Sequence, residues 1–150
     1  MRESEGCGVV DELDLKILAM LREDGRRSFT EMARSLKLSE STVRKRVLAL
    51  REKGVIRRFT VEVEPSKVGV NTVAIVGIDV EPTRLLEAAE KLCELEEVRS
   101  VATSAGDHMI MTEIWTRDGR ALTRLISEKI GKIDGVKKIC PSIILEKLKS

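Results

Sequence analysis

Two helix-start signals, at Ser28 and Ser39, stand so close together that only one short helix and a corner fit between them. Ser28 followed by Glu31 has the capping-box spacing, in which a hydroxyl and a carboxylate reciprocally satisfy amide donors at a helix start. A helix is therefore expected to begin at Ser28, with Phe29, Met32, Ala33 and Leu36 as its buried stripe. Ala33 is small enough to let a second helix cross closely. Leu36, Lys37 and Leu38 make the turn. Ser39 is the N-cap of the next helix, which runs to about Lys53, where Gly54 stops it as a left-handed cap. Two short amphipathic helices meeting at a tight corner are a helix-turn-helix over about residues 28–53.

At about 100° per residue, Val43, Val47 and Leu50 share one sector of the second helix and must face the first. The opposite side then presents Ser41, Lys45 and Leu48, with Thr42 and Arg44 on its flanks and Arg46 beside the core stripe. Residues of these types near a helix N-terminus suit base edges in a major groove, and the free amides at that end suit a phosphate. From Arg26 to Arg58 there are eleven basic residues against three acidic, whereas the whole chain carries only +2. After Glu64 the charges balance, thirteen against thirteen, so the positive potential is concentrated in one window. Candidate DNA contacts are Ser39, Ser41, Thr42, Arg44, Lys45 and Arg46, with Arg57 and Arg58 just beyond.

Residues 1–10 are expected to be loose. A helix from about Asp11 to Arg22 carries Leu13, Ile17, Leu18 and Leu21 on one side, with acids in its first turn complementing the dipole, and ends near Asp24-Gly25. It closes a small core behind the helix pair. Beyond Gly54, Ile56, Phe59, Val61 and Val63 alternate as an extended wing would, and Arg57 and Arg58 lie within reach of a phosphate.

A length of 150 residues suffices for two small domains. Glu64-Pro65-Ser66 and Gly69 mark the break between them, giving a DNA-binding domain over 1–64, a linker over 65–70 and a second domain over 71–150. In the second, strands are expected at Val73–Val80, Val98–Thr103, His108–Thr116 and after Asp134-Gly135. Helices are expected at Pro82–Cys93, with Leu85, Leu86, Ala89, Leu92 and Cys93 on one face, and at Gly119–Lys132, apolar at Leu122, Leu125, Ile126 and Ile130. Ser104-Ala105-Gly106-Asp107 connects the middle strands as a hairpin. The order βαββαβ is the ferredoxin-like plan, so the whole chain reads as α+β. Leu95–Val101 and Ile133–Ile139 echo each other at corresponding helix-to-strand turns, as duplicated halves would. With both helices on one face, the other face of the sheet is uncovered, and if apolar it calls for self-association.

Composition excludes other classes. Two Phe, one Trp and no Tyr leave no stacking platform for single-stranded nucleic acid. No apolar run approaches a membrane span, and Met1–Gly8 lacks a signal peptide's hydrophobic segment, so a cytoplasmic location is expected. Cys7, Cys93 and Cys140 lack the paired spacing of zinc ligands, and Cys93 on a buried helix stripe and Cys140 in a strand are expected to be small core residues. No metal or cofactor is expected. The absence of Gln, the single Asn71 and the 35% of charged residues point to a thermophilic source.

These features resemble the Lrp/AsnC (leucine-responsive and asparagine regulator, feast-or-famine) family of transcription factors. The resemblance runs through Leu13-Asp14, Asp24-Gly25-Arg26, Ser28, Ala33, Leu38-Ser39, Val43, Arg46-Val47, Leu50, Gly54-Val55-Ile56 and Gly69. It implies a winged helix-turn-helix domain joined to a ferredoxin-like effector-binding and oligomerisation domain, double-stranded DNA as partner, and homodimers that can stack into octamers. It also implies an amino acid or related effector at the loop before the third strand, here Thr103, Ser104, Gly106, Asp107 and His108. Met109 stands where the family usually has aspartate, leaving the effector open. Two other readings fit the same two-domain plan. One is an architectural protein that compacts DNA, against which the balanced charge outside the first domain argues. The other is an enzyme resembling siroheme decarboxylases, for which one histidine and no tyrosine provide little acid–base chemistry.

Overall fold

The computed structural model describes residues 10–149. Cys7 and all but Val10 of the segment expected to be loose lie outside them. The chain divides into two compact units, one ending at Glu62 and the other beginning at Val63.

The first unit is three helices, α1 (Glu12–Glu23), α2 (Phe29–Leu36) and α3 (Glu40–Glu52). Each begins at a side-chain cap: Asp11 on the Asp14 amide, Ser28 on the Glu31 amide and Ser39 on the Thr42 amide. The Ser28 box is closed by Glu31, whose carboxylate accepts from the Ser28 amide at 2.9 Å and is thereby held below the usual glutamate range. Asp11 and Asp14 form a second box at α1, with Asp14 itself buried. The corner between α2 and α3 turns on Lys37, which adopts left-handed φ of 56°, and Gly54 follows α3 with φ of 73°. Ile17, Met32, Ala33, Val43 and Val47 make the core, flanked by Phe29, Leu36, Leu38 and Ile56.

The expected wing is not a strand. Among the described residues, 57–64 belong to no strand ladder, and Phe59 and Val61 remain 51% and 80% exposed. An alternating pattern makes a segment able to pair, but a strand exists only where another backbone meets its donors and acceptors.

The second unit contains β1 (Thr72–Val80), α4 (Leu85–Cys93), β2 (Val98–Thr103), β3 (Ile110–Thr116), α5 (Gly119–Glu128) and β4 (Val136–Ile143). The strands lie in the order β2-β3-β1-β4, with every neighbouring pair antiparallel. Ala74, Val76, Ile78 and Val80 of β1 and Ile110 and Ile114 of β3 pack against Ala88 and Leu92 of α4, Leu122 and Leu125 of α5, and Ile130. The internal echo reappears as hydrogen bonds. Leu95 N–H reaches Leu92 O and Val98 N–H reaches Leu95 O, just as Ile133 reaches Ile130 and Val136 reaches Ile133.

Two details depart from expectation. Pro82–Arg84 form a 3-10 turn, and α4 proper begins only at Leu85. Within α4 the inward sector is Leu85, Ala88, Ala89 and Leu92, at i, i+3, i+4 and i+7, and Leu86 and Cys93 lie at its edge, Leu86 73% exposed and Cys93 exposed. Likewise α5 ends at Glu128 and a 3-10 turn at Ile130–Lys132 carries Ile130 into the core. No helix among the described residues is long and apolar enough to cross a membrane.

Candidate nucleic-acid interface and effector loop

The inward residues Val43, Val47 and Leu50 of α3 are at most 3% exposed, which fixes the rotation of the helix and turns Ser41, Lys45 and Leu48 outward, all exposed. At its N-terminus three hydroxyls cluster. Ser39 Oγ lies 2.7 Å from Thr42 Oγ1 and 3.1 Å from Ser41 Oγ, and accepts from the Thr42 amide at 3.2 Å. Ser39 is thus used as a cap, while Ser41 remains exposed.

The three basic residues of α3 have different surroundings. Among the described residues Lys45 has no hydrogen-bond or ion-pair partner and projects freely. Arg44 is exposed but held, with its Nη2 donating to Glu40 Oε1 at 2.8 Å and its guanidinium 4.8 Å from the centroid of the Phe29 ring. Arg46, expected among the DNA contacts, is used inside the domain. Its Nη1 donates to Asp11 Oδ2 at 2.7 Å and to Asp14 Oδ1 at 2.9 Å. The α1 capping box thus also receives a guanidinium, bracing α3 against α1, and Arg46 holds the Asp11 carboxyl below the usual aspartate range. The physical reason lies in the position noted from sequence, beside the core stripe, where a side chain lies against the neighbouring helix rather than solvent. Sequence reasoning missed the two acids as its partners, although their three-residue spacing is itself a capping spacing. It also missed Glu40 and Thr30, which are hydrogen-bonded to each other at 2.9 Å beside Arg44.

Beyond α3, Arg57 and Arg58 are exposed on the segment that follows it, and Arg51 lies over the Phe59 ring, 5.8 Å from its centroid.

In the second unit, Thr103 ends β2, and Ser104 closes the hairpin by donating its amide to Met109 O at 2.9 Å and its hydroxyl to His108 O. Thr103, Ser104, Gly106 and Asp107 are exposed. Gly106 has no left-handed φ and a Cβ there would meet nothing within 4 Å, so this turn does not require glycine. His108 leaves the group. It is half-buried, with Nδ1 3.2 Å from both Asp79 oxygens, and its ring occupies the space that a side chain at Gly77 would fill. A Cβ at Gly77 would overlap the ring, so the glycine admits the histidine to the sheet. Among the described residues no three His, Cys, Asp or Glu side chains are grouped to hold a metal ion.

The sheet face opposite the helices carries Val73, Ile75, Gly77 and Asp79 of β1, Met111, Glu113 and Trp115 of β3, and Cys140 of β4. His108 packs on Gly77 there, while Val73, Ile75, Met111, Trp115 and Cys140, the last expected in the core, are only half-buried. Arg99 lies over Trp115 at 4.9 Å, and the indole N–H donates to Glu113 Oε1 at 2.7 Å.

Comparison with known proteins divides the chain similarly. Residues 10–51 match the AsnC-type helix-turn-helix domain and residues 73–150 the Lrp/AsnC ligand binding domain. Two HTH-type transcriptional regulators named LrpA, from Pyrococcus horikoshii and Pyrococcus abyssi, are each 55% identical over 141 residues, covering 94% of this chain and all of theirs. Among solved structures, AsnC of E. coli is 26% identical and superposes with a TM-score of 0.84 over 94% of this chain and 95% of its own.

Proposed function

The chain belongs to the Lrp/AsnC family of regulators, and on that premise we propose that it is a sequence-specific DNA-binding transcriptional regulator that acts as a homodimer or a larger assembly of dimers. One observation carries the reading: α3 is anchored by Val43, Val47 and Leu50 while its outer side carries Ser41, Arg44 and Lys45 to solvent. Such a helix enters a major groove with its N-terminal residues at the base edges. Ser41, Thr42, Arg44 and Lys45 read bases, and Ser39 with the α3 amides seats a phosphate. Arg57 and Arg58 contact the backbone without sequence preference. Arg46 sets the angle of α3 through Asp11 and Asp14 rather than touching DNA.

Self-association follows from the half-buried sheet face, which a second copy covers, and pairs two recognition helices on a two-fold site. Residues 1–64 serve DNA, residues 65–70 link, and residues 71–150 pair the subunits and bind effector. The exposed turn at Thr103, Ser104, Gly106 and Asp107 offers hydroxyls and a carboxylate to an amino acid's charged ends, while His108 orients the turn from Asp79.

Genomic selection of bound DNA, repeated with a panel of amino acids and followed by footprinting, tests this. A palindromic sequence protected in two successive major grooves is expected, with at least one amino acid changing affinity. Absence of protection on the selected duplex would remove the mechanism.

A further inference from the structure

Arg44 belongs to a small network that straddles the corner between α2 and α3. Phe29 and Thr30 open α2, and Glu40 opens α3. The Phe29 ring lies beneath the Arg44 guanidinium, Glu40 Oε1 takes one of its nitrogens at 2.8 Å, and Glu40 Oε2 accepts from Thr30 Oγ1 at 2.9 Å. Both oxygens of Glu40 are thereby occupied, and its carboxyl is held below the usual glutamate range by Arg44 first and Thr30 second.

Two physical points make the arrangement informative. A carboxylate at the tip of a helix facing a polyanion is repelled by it, and Glu40 is one of only three acids against eleven bases in this window. An exposed i,i+4 pair contributes little stability, and the favourable place of an acid in the first turn of α3 does not require Arg44 as its partner. Arginine, in contrast, reads guanine best when its planar fork is fixed before it arrives, because fewer rotamers are lost on binding. With one nitrogen anchored and the plane resting on an aromatic ring, the remaining donors of Arg44 are free to point at a guanine O6/N7 edge.

We infer that Glu40 is a specificity-determining positioning residue, which with Thr30 and Phe29 aims Arg44 at a guanine and keeps it from pairing with phosphates. The inference rests on the DNA-reading role proposed above. It deepens that role by assigning a base and separating the reader from its support.

Selection of bound DNA and salt titrations on the selected and a random duplex, using full-length wild type, Glu40→Ala, Glu40→Gln and Arg44→Ala, test it. Wild type should require guanine at one position of each half-site. Both alanine variants should lose that requirement about tenfold or more. Glu40→Ala alone should bind random duplex more tightly, with a salt slope steeper by about 0.9 per half-site as Arg44 turns to phosphate. Glu40→Gln, which keeps an oxygen for Thr30 and Arg44, should retain part of the preference, and thermal unfolding of all variants should stay near wild type. If Glu40→Ala keeps the wild-type preference while Arg44→Ala loses it, Glu40 is a surface ion pair only and the inference fails while the DNA-reading role stands. If Arg44→Ala also keeps it, Arg44 is not the reader and the inference fails. A wild type without sequence preference would remove the DNA-reading role itself.

Discussion

In the N-terminal unit, Ile17, Met32, Val43 and Val47 from three helices close a small core, and the side chains left outside on α3 are polar or charged apart from Leu48. In the C-terminal unit a four-stranded sheet is packed on one side only, leaving Val73, Ile75, Met111 and Trp115 half-covered on the other. What each unit leaves exposed differs in kind, and so must its partner: a charged, hydrated face suits a polyanion, whereas a sheet face with half-buried apolar side chains suits another protein surface. Stability and assembly should therefore be separable by mutation.

The largest effect is expected from Met32→Ala. Met32 is fully buried, and truncation of such a side chain costs about 2–5 kcal/mol, read as a lower midpoint in urea with the sheet unit's association unchanged. If Met32→Ala alters assembly as much as stability, the two units are coupled and the comparison breaks. Ile75→Glu should do the reverse. A carboxylate forced into a covered apolar face costs several kcal/mol, so sedimentation should show self-association weakened on the order of a hundredfold with circular dichroism unaltered. An unchanged sedimentation coefficient would mean that the open face is not where copies meet.

The smallest effect concerns acid. Because Arg46 depresses the Asp11 carboxyl in the folded state, the stabilisation is complete above the unfolded-state value. It is lost as pH falls through the lower folded value. Melting temperature followed downward through the carboxylate range should fall less steeply in Arg46→Ala than in wild type. Parallel curves would show that the clamp does not link α1 to α3 energetically.

The features legible beforehand were those with local causes. Ser28 with Glu31, and Ser39, mark helix starts because hydroxyls and carboxylates satisfy amides three residues away. Strand β2 at Val98–Thr103 follows from residue type and turn chemistry. Leu86 and Cys93, expected on a buried face, are exposed, since the stripe that packs on the sheet is Leu85, Ala88, Ala89 and Leu92, and periodicity alone does not say which of two overlapping sectors turns inward. Lys37 in a left-handed conformation carried no sequence signal, because lysine ordinarily avoids it. Within the candidate interface, the outward placement of Ser41 and Lys45 was legible from the buried stripe opposite. Glu40 stands at the helical i,i+4 spacing from Arg44 and was equally legible, whereas Thr30 beside Glu40, and Asp11 and Asp14 beside Arg46, arrive through tertiary geometry rather than periodicity.

Periodicity, caps and the local surplus of charge were enough to determine that this chain contains a basic helix-turn-helix followed by a βαββαβ domain. Those signals act over a few residues and survive any arrangement of the rest. Which arginine projects and which is pinned, where His108 settles against Gly77 and Asp79, and that residues 57–64 join no strand ladder among the described residues were decided only by the tertiary structure. Each depends on groups brought together from far apart in sequence, where hydrogen-bond geometry and available space select one partner among many.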